Sequence, residues 1–208
     1  MSDRTFHRPA SLDQQEAETI VGDEDPAAES EIAHTTAWAL LGVPNADFDE
    51  KAVETLQASV RQEGVDIIAA AWSRSPDFTL PGALWRLYLL WQWHQMNPQV
   101  LQDRYTEGVE AMKRQGVEVT DPLPLDEILL AVEGVLTGYA TEDELAPVLE
   151  AAAQAMRIMA MGVTFGPEWI TEEGHVLAHT VTRRPQALVE TARELDESAR
   201  QAAQGTLD

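Results

Sequence analysis

The residues best spaced for chemistry are histidines and glutamates. Glu31 with His34, and Glu172 with His175, both have the Glu-x-x-His spacing. Helical bundles that hold two metal ions use two such pairs, together with a glutamate from each of two further helices. His179 stands four residues after His175, one helical turn on. Glu31, His34, Glu172, His175 and His179 are therefore the metal-ligand candidates. Two facts weigh against them. With 22 glutamates and 5 histidines in 208 residues, chance alone supplies about half of one Glu-x-x-His pair, and short motifs carry that false-positive risk. The metalloprotease pattern H-E-x-x-H needs a glutamate right after its first histidine, and Val176 occupies that place.

A second chemistry is suggested by WRLYLLWQWHQ, Trp85 to Gln95, which holds three of the six tryptophans. A guanidinium among aromatic rings can clamp an anion. Arg86 is the candidate, with Tyr88 and Trp93 as walls and Arg74 and His94 in support. The competing reading is an internal ion pair from Arg86 to Asp77 or to a glutamate of a neighbouring helix, because structural pairs also create buried charges. Cysteine is absent, which excludes thiolate metal sites and a cysteine nucleophile. Phosphate-binding glycine loops, dinucleotide fingerprints and nucleophile elbows are not found, so no cofactor is expected.

These side chains need elements to hold them, and the elements read as helices. Helical residues advance about 100° each. From Leu84 to Trp93 the apolar residues surround the axis, and the polar ones do not gather on one face. A helix apolar all round is a buried one, so residues 82–96 are expected to be the central helix of the fold. Ser30 is placed to cap a helix that Gly42 and Pro44 stop. Asp47 or Asp49 opens a longer one, bent at Gly64, whose stripe runs from Val53 to Ala71. Ser73 to Gly82 reads as a loop. Asn97-Pro98 restarts a helix carrying Leu101, Tyr105, Val109 and Met112, ended by Gly116. Val117 to Thr120 is a short segment that suits an extended conformation. Leu125 to Tyr139 forms another stripe. Thr141 to Glu144 matches a capping box, and Pro147 implies a kink or a late start beyond it. Pro185 opens a last helix with Leu188, Thr191, Ala192, Leu195 and Ala199. Its Glu190, Glu194 and Glu197 read as a solvated face. The class is all-α, an irregular bundle of about seven helices. Residues 1–27 read as a flexible acidic tail and 28–208 as one helical domain.

The charge balance narrows the function. There are 36 acidic and 14 basic residues, a net of -22. Residues 1–50 alone carry 12 acids against 2 bases. A field of this sign repels phosphate backbones, so nucleic acid is not an expected partner. The longest apolar run, near residues 83–93, is too short to span a bilayer and contains Arg86, so a membrane is not expected either. The beginning of the chain lacks the apolar stretch of a signal peptide. The favoured reading is a cytoplasmic, non-catalytic interaction or regulatory protein whose partner has a basic surface. The alternatives are a binder or enzyme for an anionic small molecule around Arg86, and a metal-dependent helical enzyme. Oligomeric state is not legible.

Overall fold

The computed structural model describes residues 26–46, 48–116, 122–162 and 185–208. Eight helices and no strand are found among them: α1 Pro26–Leu40, α2 Glu50–Glu63, α3 Asp66–Trp72, α4 Leu80–Met96, α5 Pro98–Arg114, α6 Leu125–Leu136, α7 Glu142–Met161 and α8 Pro185–Ala203. The protein is all-α, as its periodicity implies. The Val117–Thr120 segment and residues 1–25 of the expected tail lie outside the described residues. Pro26 and Ala27 belong to α1.

The tryptophan-rich helix α4 touches α1, α3, α5, α6, α7 and α8, so it does lie at the centre. Leu80, Leu84, Leu87 and Leu90 are fully buried on it, each stabilising the fold by about 1.5–3 kcal/mol through loss of apolar contact with water. The most extensive helix pair, however, is α7 with α8. Met156 and Met159 of α7, and Leu188, Ala192, Leu195 and Ala199 of α8, are sealed between them and the rest of the core. Buried side chains from all eight helices form one contiguous cluster.

Several boundaries differ from the sequence reading, each for a local reason. The long second helix is two helices, because Gly64 takes φ 97°, a left-handed value that stops α2. Asp49 caps α2, accepting from the Ala52 N–H at 2.9 Å. Helix α1 starts at Pro26, so Ser30 lies inside it, and its carbonyl meets the His34 ring Nδ1 at 2.8 Å. Helix α6 ends at Leu136 and Gly138 turns at φ 71°, which takes Tyr139 off the expected stripe. Tyr139 is exposed, with the Arg61 guanidinium 5.1 Å from its ring centroid. Helix α7 begins at Glu142, five residues before Pro147, with the Glu144 carboxylate reaching back to the Thr141 N–H at 2.9 Å. The start is therefore not delayed. That hydrogen bond, with a second from the Thr141 hydroxyl, holds the Glu144 carboxyl below its usual pKa.

One contact sets the spacing of α5 and α7. A Cβ added at Gly108 would fall 1.9 Å from the Ile158 carbonyl oxygen. The two backbones approach so closely that only glycine fits. No helix among the described residues is long and apolar enough to cross a membrane.

Candidate functional site

The site is built where the α3–α4 loop folds back on α4. Helix α4 starts at Leu80, two residues earlier than expected, because Thr79 caps it. The Thr79 hydroxyl accepts from the Gly82 N–H at 3.2 Å and donates to the Pro76 carbonyl at 2.8 Å. A Cβ at Gly82 would meet that carbonyl oxygen at 1.9 Å, so glycine lets the loop lie against the first helical turn. The Leu80 N–H donates to a main-chain oxygen of Asp208 at 2.6 Å, and Leu207 is buried beside the core.

This fold-back carries Asp77 to Arg86, one turn along from Gly82. The Arg86 side chain is only 11% exposed. Its Nη1 donates to the Gly82 carbonyl at 2.8 Å, its Nε to Glu194 at 2.6 Å, and its Nη2 to Asp77. A buried guanidinium must be paired, and here a loop carboxylate and an α8 carboxylate share the task. Glu194 is therefore half-buried and bonded, and not part of a solvated face.

Beside Arg86 lies a cleft of about 290 Å³ lined by Ser75, Asp77, Trp85, Glu190, Thr191 and Glu194, among others. Its lining holds three carboxylates against one guanidinium. The Trp85 ring stacks on Tyr88 at 5.3 Å between centroids.

Of the five residues proposed as an anion clamp, Arg86 lines this cleft and Arg74, Tyr88, Trp93 and His94 do not. Arg74 is exposed and bonds Glu29 of α1 at 3.1 Å. Tyr88 donates to Asp66 of α3 at 2.5 Å, and Gln92 donates to both at 2.7 Å. Burial, and then that carboxylate, push the Tyr88 hydroxyl pKa up to about 12. Trp93 is buried with the Arg104 guanidinium 5.8 Å from its ring centroid. His94 is half-buried.

Among the metal candidates, Glu31 is exposed and His34 is half-buried. Glu172, His175 and His179 lie outside the described residues. No group of three or more histidine, aspartate and glutamate side chains that could hold a metal ion occurs among the described residues.

Arg104 was not singled out by sequence reasoning. It is 4% exposed, its Nε donates to the Met159 carbonyl at 3.3 Å, and burial lowers its pKa. The signal was its position: it shares the inward face with Leu101, three residues before it, and Gly108, four after it.

Comparison with protein-family models, with curated proteins and with solved structures finds no match.

Proposed function

We propose that this is a non-catalytic interaction or regulatory protein, cytoplasmic, that meets a basic protein partner. One observation carries the reading: each nitrogen of the guanidinium beside the cleft already donates a hydrogen bond, to Glu194, the Gly82 carbonyl and Asp77. Carboxylates outnumber it there, as they do across a chain of net charge -22. Such a field draws basic partners and speeds their encounter. An anionic ligand would compete with Asp77 and Glu194 for Arg86 and would meet Glu190 as well.

The test is binding of a lysine- and arginine-rich peptide by fluorescence anisotropy at low and high salt, with recovery of partners from native lysate. Saturable binding that weakens steeply with salt is expected. Absence of any stoichiometric partner, together with turnover of a metabolite, would overturn the reading. For the anionic-ligand alternative, the measure is thermal shift with a metabolite panel on wild type and Arg86→Gln. An anion that stabilises only the wild type would replace the basic-partner reading with that one.

A further inference from the structure

Thr191 is a largely buried polar side chain of the cleft. It is 6% exposed, it lines the cavity, and its hydroxyl has no hydrogen-bond partner among the described residues. Other helical threonines behave differently. Thr36, Thr55 and Thr106 each donate to the carbonyl four residues back, at 2.7, 2.7 and 2.9 Å. The Thr191 hydroxyl is not shut off in the core but opens on the cleft, where a ligand group can take the hydrogen bond that water would otherwise make.

Its neighbour Glu190 is exposed and makes no ion pair among the described residues. Asp77 and Glu194 each hold Arg86 through one oxygen. Trp85 adds an aromatic wall, and the Ser75 hydroxyl a further acceptor. Surplus negative charge, a hydroxyl able to accept, and an indole together define a receptor for an organic cation. The volume lies near the small end of ligand pockets, about 300–1,000 Å³, enough for one side-chain terminus.

We infer that this cleft takes an alkylguanidinium or alkylammonium group, the end of an arginine or lysine presented by the partner. The inference rests on the basic-partner reading for the source of the cation, and on Thr191, Glu190 and Trp85 for the cleft. Butylguanidine and inorganic phosphate serve as opposed probes, read by tryptophan fluorescence and by NMR of the indole N–H groups. An arginine peptide and its citrulline counterpart identify the source.

Butylguanidine should saturate, and phosphate should not. Glu190→Gln, at an exposed position, should weaken butylguanidine by about tenfold or more, the worth of one charge-assisted hydrogen bond. Thr191→Val should weaken it several-fold without lowering Tm, since no bond among the described residues is lost. Preference for the arginine peptide over citrulline, abolished by Glu190→Gln, supports a side chain as the source. Butylguanidine without peptide binding supports the cleft but overturns the basic-partner reading. Peptide binding that Glu190→Gln leaves unchanged overturns the cleft and keeps the basic partner. No saturation by butylguanidine also overturns the cleft.

Discussion

Removing Glu194 should destabilise the protein more than removing the arginine it binds. The Arg86 side chain is 11% exposed, Glu194 22% and Asp77 54%. In Glu194→Leu the charged guanidinium stays in place, its Nε loses its acceptor, and little water can reach it. Breaking a fully buried pair in this way costs about 3–5 kcal/mol. Partial solvent access through the cleft brings the expectation to about 2–3 kcal/mol. In Arg86→Met no buried donor is orphaned, the apolar stem is kept, and both carboxylates can rehydrate. Its expected cost is about 1–2 kcal/mol, the net worth of the lost hydrogen bonds. The double variant leaves no unpaired buried charge, so it should be no less stable than Glu194→Leu alone. Urea unfolding followed by tryptophan fluorescence measures all three. At about 2–4 °C per kcal/mol for a chain of this size, Glu194→Leu should lower Tm by about 4–12 °C. The reasoning fails if Glu194→Leu lies within about 0.5 kcal/mol of wild type, the range of ordinary surface changes. It fails equally if the two single effects simply add.

Other outcomes follow from the same packing. Gly108→Ala should cost about 3 kcal/mol, because the new methyl has to push two backbones apart at Ile158. Gly134→Ala, with nothing within 4 Å of its Cβ, should stabilise α6 by about 0.5–1 kcal/mol. A denaturation series in which the two behave alike would refute the proposed helix contact. The Tyr88 hydroxyl has its pKa raised from 10.0 to about 12 in the folded protein, and only its neutral form suits the bond to Asp66. The stabilisation it provides is thus complete below pH 10 and is lost as pH rises through about 12. Phenolate absorbance should show a late step that Tyr88→Phe removes; a step already complete by about pH 10, the ordinary tyrosine value, would contradict the burial.

Helix α4 was readable in outline because its apolar residues encircle the axis, and burial of a whole helix needs no knowledge of neighbours. Its start was misplaced because Thr79 becomes a cap only through the loop that Gly82 admits. The capping box at Thr141 and the stops at Gly42 and Gly116 were legible for the same local reason: each is settled within a few residues, whereas Gly64, read as a bend, is a full stop. Arg104 escaped notice because charge normally signals solvent, and only the close approach of α7 at Gly108 buries it. Glu190, Glu194 and Glu197 looked equivalent along α8. They are not: Glu194 bonds Arg86, Glu190 lines the cleft, and Glu197 pairs with Arg200 at 2.5 Å.

From the residues alone come the all-helical class, the buried central helix and the acidic character, since each depends on composition or on a repeat of about 3.6 residues. Tertiary structure alone decided what Arg86 pairs with. Its partners stand 9 residues before it and 108 after it. Helical periodicity says which way a side chain faces on its own axis, and nothing about which distant axis lies opposite. That is settled when the backbones pack, through contacts such as Gly82 on Pro76 and Gly108 on Ile158, and the charges then take the partners this packing leaves within reach.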